Sequence, residues 1–138
     1  MKNIAFLGGT RFFGKELVSK LEKTNLYNID VYSRKSSGLQ IDRSSKYDMN
    51  LVLSKNYDII FDNICFGSSD ARIVIDFFKE YPTLIPHQYI LTSTAFIYKN
   101  IYIDNYNESI TIQLKDISNK KYPEISYELG KKESELLF

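Results

Sequence analysis

The chain has 138 residues, 43% of them hydrophobic and 25% charged, with a formal net charge of +1. That is the size and balance of one globular domain, and it offers no global field to attract nucleic acid or an acidic membrane. The single cysteine excludes an internal disulfide and fits a reducing cytoplasm, and no apolar run approaches the length of a membrane span.

The first predicted strand is the apolar run Ile4-Ala5-Phe6-Leu7, which stops at Gly8-Gly9. A helical pattern takes over, with Phe13, Leu17 and Leu21 expected on its apolar face and Glu16, Lys20 and Lys23 off it. Strand, tight glycine turn and helix, in that order, is the setting in which a glycine-rich loop binds phosphate. Gly8 would let the backbone turn sharply, Gly9 or Thr10 would expose backbone N–H groups, and Gly14 would let the helix pack closely on the sheet. The helix N-terminus then offers unpaired N–H groups and a partial positive charge to a pyrophosphate. The plain alternative is a glycine turn between any strand and helix.

Tyr27 to Ser33 reads as the second strand, ending at Arg34-Lys35-Ser36-Ser37-Gly38. Leu39-Gln40-Ile41 is a short third strand closed by Asp42-Arg43. A short helix follows from Tyr47 to Lys55, with Tyr47, Leu51 and Ser54 expected on one face. The fourth strand is Tyr57 to Asp62, with a loop from Asn63 to Gly67 at its carboxyl end. Cys65, between Ile64 and Phe66, reads as a small core residue rather than a nucleophile. Ser68 or Ser69 is expected to cap a helix from Asp70 to Glu80, whose apolar stripe is Ile73, Ile75, Phe77 and Phe78. His87, the lone histidine, has no metal-ligand company at the entrance of a fifth strand over His87 to Ser93, so no metal site is expected. Residues 99–123 form a polar, irregular excursion with a little helix near Ser109 to Leu114. A last helix is expected from Pro123-Glu124 to Phe138. Alternating strands and helices predict an α/β fold, a doubly wound parallel sheet, over one domain of residues 1–138.

The loop Gly8-Gly9-Thr10-Arg11-Phe12-Phe13-Gly14 departs from G-x-G-x-x-G. It resembles the extended and atypical short-chain dehydrogenase/reductase family, the NAD-dependent epimerase/dehydratases, where G-G-T-[GR]-F-[IF]-G is a common form. Further matches follow in order. Ile41-Asp42-Arg43 is similar to the family's G-D-R, where the Asp meets the adenine. Tyr57 to Asp62 is similar to Y-D-x-V-[IV]-[HD], and Thr92-Ser93-Thr94-Ala95-Phe96-Ile97-Tyr98 to S-S-[ST]-x-x-V-Y. Asn107-Glu108-Ser109 falls where members often carry T-E-x-x-P, and Tyr127-Glu128-Leu129-Gly130-Lys131 is a Y-x-x-x-K. Alone, that last motif arises by chance about once in a chain with this much tyrosine and lysine. Its weight comes from its place on a predicted helix, downstream of the others. The plain reading makes Tyr127 a packing residue and Lys131 its solvated neighbour.

The resemblance implies a Rossmann fold binding NAD or NADP, with Thr94, Tyr127 and Lys131 as the catalytic set. Gly8 to Gly14, Ser33, Arg34, Asp42 and Arg43 would hold the cofactor. A lysine ammonium beside a tyrosine favours the phenolate and brings its pKa toward neutrality. An acid at the end of the second strand selects NAD and a base selects NADP. Here Ser33 is followed by Arg34 and Lys35, with Arg11 nearby, which favours NADP. A nucleotide sugar is the substrate implied by family frequency. Members carry a C-terminal substrate domain after the Y-x-x-x-K helix, and none follows Phe138. The chain is therefore expected to hold cofactor while being incomplete and inactive by itself, its apolar end either meeting a second copy in a homodimer or leaving the last helix poorly ordered. The rival reading is a non-catalytic nucleotide-sensing or RNA-associated member of the fold, for which near-neutral charge gives little electrostatic support.

Overall fold

The computed structural model describes residues 1–35, 38–94, 97 and 116–138. Five parallel strands form one sheet: β1 (Lys2–Leu7), β2 (Tyr27–Ser33), β3 (Leu39–Gln40), β4 (Ile59–Asp62) and β5 (Gln88–Leu91), in the order β3-β2-β1-β4-β5. The helices are α1 (Phe12–Glu22), α2 (Lys46–Leu53), α3 (Ser68–Glu80) and α4 (Tyr127–Leu137), with a short 3-10 turn at Pro82–Leu84. Strand order reverses at β1, whose neighbours are β2 on one side and β4 on the other, so a crevice opens at the carboxyl ends of β1 and β4.

Alternation along the central strands sends side chains to two faces. Ala5, Leu7, Tyr32 and Ile60 meet Met49, Val52 and Leu53 of α2 and Val74 and Phe77 of α3 in the main core. On the other face Phe6 stacks on Phe61, with ring centroids 4.8 Å apart. Val18 of α1 approaches this side beside Phe6 and Val31. The fully buried Leu7, Met49, Leu53, Ile60 and Phe6 each contribute roughly 1.5–3 kcal/mol.

The predicted order of elements is the observed one, but the phases of the helices differ. In α1 the buried positions are Gly14 and Val18, whereas Phe13 is 57% exposed. Gly14 presses onto the strand ends as expected, and it is the apolar row beside it that shifts, to Val18. In α2, Tyr47 is 72% exposed and Met49, Val52 and Leu53 face inward. In α3 the buried row is Ala71, Val74 and Phe77, and Ile73 and Phe78 flank it. Ser68 does not cap this helix from outside. Gly67 is the N-cap, and Ser68 opens the first turn with its hydroxyl turned toward α4. The last helix begins at Tyr127 rather than Pro123, because Ser126 accepts a hydrogen bond from Leu129 N at 3.2 Å and caps it there. Its apolar end packs only in part within the chain: the Phe138 ring stacks on Tyr89 at 4.7 Å, while Leu136 and Phe138 stay 42% and 47% exposed. The expected helix at 109–114 lies outside the described residues.

Candidate functional site

The glycine loop leaves β1 at Gly8, whose φ of 82° lies in the left-handed region that a side chain would strain. Gly8 N donates to Tyr32 O at 2.8 Å, holding the turn against β2. At Gly14 a Cβ would lie 2.9 Å from Asn63 Nδ2 and 3.1 Å from Gly8 O, so only glycine lets α1 start this close to the strand ends. Phe12 also has a positive φ, 49°, and its ring is 87% exposed at the mouth of the loop. A bulky residue held there is a local strain maintained by its surroundings. Arg11, the N-cap of α1, makes no side-chain cap, and the first turn carries no acid. The positive end of α1 therefore faces the crevice without a neutralising group from its own helix.

Asn63 is the first residue after β4. Its N–H donates to Leu7 O at 3.0 Å, pinning the two strand ends together. Its Oδ1 accepts from the Thr92 hydroxyl, and its buried Nδ2, against Gly14, has no hydrogen-bond partner among the described residues. A turn in the left-handed region, a close approach that a Cβ would block and a buried orphan donor beside it together fit a dinucleotide pyrophosphate.

Across the crevice, α4 brings in the Y-x-x-x-K pair. Lys131 is fully buried and donates from Nζ to Thr92 O, at the carboxyl end of β5, at 2.6 Å. Burial pulls its ammonium pKa below the ordinary lysine value. Its Nζ lies 5.0 Å from the Phe66 ring centroid and 5.8 Å from that of Tyr127. Tyr127 is half-buried, its ring tilted against Phe66 with centroids 6.0 Å apart. Burial raises the Tyr127 phenol above its ordinary value, the reverse of the lowering expected from a lysine neighbour. Thr94 is half-buried two residues beyond the Thr92 carbonyl. The remaining expected motif residues Ala95, Phe96, Tyr98 and Asn107 to Ser109 lie outside the described residues.

On the β2–β3 side, Ser33 is buried and its hydroxyl donates to the Lys35 backbone carbonyl at 2.5 Å, while the Arg34 and Lys35 side chains are both exposed at the turn. Asp42 is exposed, and hydrogen bonds from the Ser44 hydroxyl and N–H hold its carboxyl below the usual range. Arg43 goes elsewhere than its neighbour. Only 4% exposed, it points inward and donates to Asp62 Oδ2 from Nη2 at 2.7 Å and from Nε at 3.0 Å, and to Asp70 O at 3.0 Å. The Tyr89 hydroxyl and Ile64 N complete the shell around Asp62, at 2.6 and 3.1 Å. This buried network braces the floor of the crevice and leaves the Arg43 guanidinium no free edge for adenine. Sequence reasoning overlooked Asn63, Thr92 and Phe66. Asn63 was accessible as the polar residue ending a strand at the crevice, whereas nothing in an apolar Phe beside Cys65 marks it out.

α4 is seated by a second buried carboxylate. Glu133 accepts from Ser118 N and Ser118 Oγ, both at 2.8 Å, and from Ser68 Oγ at 2.5 Å. It thereby ties α4 to the first turn of α3 and to residues 116–121.

No protein-family model matches the chain, and no curated protein does. Solved structures do. Over 99% of this chain it is similar to 49% of UDP-N-acetylglucosamine 4-epimerase from Bacillus cereus, with a TM-score of 0.68 and 16% identity. A short-chain dehydrogenase/reductase (wide type) from Veillonella parvula, in complex with NADP, matches at 0.65 and 14%, with 99% of this chain and 63% of that one covered. dTDP-glucose 4,6-dehydratase from Bacillus anthracis, in complex with NAD, matches at 0.64 and 15%, with 99% and 49% covered. The chain thus spans about half the length of the structures it matches. At these identities the likeness is one of fold: this chain has the doubly wound, parallel Rossmann architecture found in those epimerase, dehydratase and reductase structures.

Proposed function

We propose that the chain is a nicotinamide-dinucleotide-binding domain of the short-chain dehydrogenase/reductase type, acting in epimerase, dehydratase or reductase chemistry on a nucleotide sugar. The observation that carries this reading is the buried Lys131, held at the carboxyl end of β5 beside Tyr127, on the same crevice as the glycine loop. A buried ammonium is costly in a merely structural helix, and open α/β sheets bind their ligands at this edge.

In this reading Gly8, Gly9, Thr10, Arg11, Phe12, Phe13 and Gly14 present backbone N–H groups to the pyrophosphate, and Asn63 Nδ2 lies behind them. Asp42 meets the adenine. Arg34 takes the ribose 2′-phosphate, so NADP is preferred over NAD. The bound nicotinamide supplies the hydride chemistry. Lys131 holds the nicotinamide ribose and, once charged beside Tyr127, offsets the burial that keeps the phenol protonated. Tyr127 passes the proton to or from the substrate oxygen, and Thr94 Oγ holds that oxygen in line. The working form is a cytoplasmic enzyme, dimeric through like chains.

The test is a titration with NADPH followed by energy transfer from protein tyrosines to the nicotinamide. Lys131→Met removes one charge-assisted hydrogen bond, worth roughly 1.5–3 kcal/mol, and should weaken binding about ten- to a hundredfold. Unchanged affinity in a folded Lys131→Met variant would remove Lys131 from the cofactor site.

A further inference from the structure

Phe66 touches both members of the Tyr127/Lys131 pair, and no motif assigns it a role. It follows Cys65 in the loop after β4, and its backbone is fixed on both sides. Phe66 N donates to Asp70 Oδ2 at 3.0 Å, and Phe66 O accepts from Tyr122 N at 3.2 Å. Gly130 of α4 rests directly on that carbonyl, where a Cβ would collide with it. The ring is therefore set by its own backbone and closed in by α4. One side meets the Tyr127 ring at 6.0 Å and the Lys131 ammonium stands over it at 5.0 Å.

We propose that Phe66 is a positioning residue for the Tyr127/Lys131 pair: its ring face holds the Lys131 ammonium in place by a cation–π contact and orients the Tyr127 ring beside it. The proposal rests on the reading of Tyr127 and Lys131 as functional, and its test is independent of whether a dinucleotide binds.

A buried lysine tends to lose its proton, because removal from water penalises the charged form. Around Lys131 that burial is the largest influence. The groups facing it divide by sign. Cys65 after β4, Asp62 of β4 and Asp70 of α3 favour the charge, Arg43 after β3 opposes it, and the Thr92 carbonyl at the end of β5 accepts its proton at 2.6 Å. None of these carboxylates forms an ion pair with Lys131 among the described residues; Asp62 is committed to Arg43, and Asp70 lies 3.9 Å from Lys121 Nζ. The Phe66 face, with that of Tyr127, supplies the nearby electron density that an ion pair would otherwise give. An ammonium at this distance gains from the ring quadrupole, and more so when desolvated. A charged Lys131 is in turn what lowers the Tyr127 phenol once the pair is engaged.

The experiment measures the Lys131 pKa by the 13Cε shift of labelled lysine, the resonance being assigned with Lys131→Met. Phe66→Tyr keeps a ring face, whereas Phe66→Leu and Phe66→Met keep apolar bulk without one. The proposal expects the Lys131 pKa to fall by roughly half a unit to one and a half units in the Leu and Met variants, and to hold within about 0.3 unit in Phe66→Tyr. A plain packing role predicts that all three behave alike. Equal pKa values across wild type and the aliphatic variants, or a fall in Phe66→Tyr matching theirs, would overturn the proposal. Should Phe66→Leu not fold, Phe66→Met carries the comparison. An NADPH titration of wild type in parallel separates the two ideas: absence of binding would count against the function and leave the Lys131 result standing.

Discussion

Removing Asp62 tests whether Arg43 is part of the fold or part of the binding surface. Asp62 Oδ2 accepts from Arg43 Nη2 at 2.7 Å, Arg43 Nε at 3.0 Å and the Tyr89 hydroxyl at 2.6 Å, while Oδ1 accepts from Ile64 N at 3.1 Å. Asp62→Ala would leave a guanidinium that is 4% exposed with only the Asp70 carbonyl as partner. Breaking a buried pair from one side costs about 3–5 kcal/mol, because the remaining charge is neither solvated nor matched. For a domain of this length that lowers Tm by roughly 10–20 °C. Replacing both partners by apolar groups, Asp62→Leu with Arg43→Met, removes the charge as well as its partner. The double variant should then recover to within about 2 kcal/mol of wild type, the residue of the loss being the orphaned Tyr89 hydroxyl and Ile64 N–H. Urea unfolding followed by circular dichroism gives the three stabilities, and Asp62→Asn provides a milder single change. A loss below about 1 kcal/mol for Asp62→Ala, or a double variant that loses the sum of the two singles, would refute the account of this network.

Three further outcomes follow from the same geometry. Arg34→Ala should reduce NADP affinity roughly ten- to a hundredfold and leave NAD affinity nearly unchanged, since Ser33 puts no acid at the strand end and Arg34 follows it directly; equal losses for both, read by calorimetry, would place the 2′-phosphate elsewhere. Glu133→Ala should destabilise by about 2–4 kcal/mol through a cavity and unpaired Ser68 and Ser118 donors, whereas Glu133→Gln should cost under about 1 kcal/mol because the hydroxyls can reverse to meet its amide; similar urea midpoints for the two would show that the hydrogen bonds are immaterial. On acidification, Asp62 and Glu133 act with one sign. Both are buried, which alone would raise them, but Arg43 beside Asp62 and the serine hydrogen bonds to Glu133 hold the folded values below the ordinary 3.8 and 4.5. Their stabilisation is present above those values and is lost as pH falls through the depressed folded ones. Asp70, raised by burial, acts in the opposite direction, gaining on protonation. Asp30 and Asp42 are held low as well and act with Asp62 and Glu133, so the urea midpoint should drop between pH 5 and pH 3, and a flat midpoint there would contradict these assignments.

The order of elements was legible because it rests on features with large local signals. Gly8-Gly9 stops an apolar run, Tyr81-Pro82 ends a helix, and β4 is the run Ile59–Asp62. Helix phase was less legible. In α1 the close approach at Gly14 was legible from the glycine loop, but the apolar face was not, since Val18 is buried while Phe13 carries much apolar surface and lies outside. In α2, Tyr47 and Leu51 compete with Met49, Val52 and Leu53 within eight residues, and local periodicity cannot choose between them. At the candidate site the loop and the Y-x-x-x-K pair stood out as motifs. Arg43 read as a ligand because Ile41-Asp42-Arg43 resembles a G-D-R motif, whereas its side chain reaches Asp62, 19 residues away. Long-range choices of that kind, and the seating of Phe66 under Gly130, are made by packing and leave no mark in local spacing.

The central claim is that the Gly8 to Gly14 loop holds a nicotinamide dinucleotide. Calorimetric titration of the chain with NADP tests it most directly, with Gly14→Val as the comparison. In that variant the new side chain would press on Asn63 Nδ2 and Gly8 O, which lie 2.9 and 3.1 Å from its Cβ position, and force α1 away from the strand ends. The account predicts saturable binding to the wild-type chain and none to a folded Gly14→Val. A folded Gly14→Val that keeps wild-type affinity, or a wild-type chain that binds neither NADP nor NAD, would contradict it.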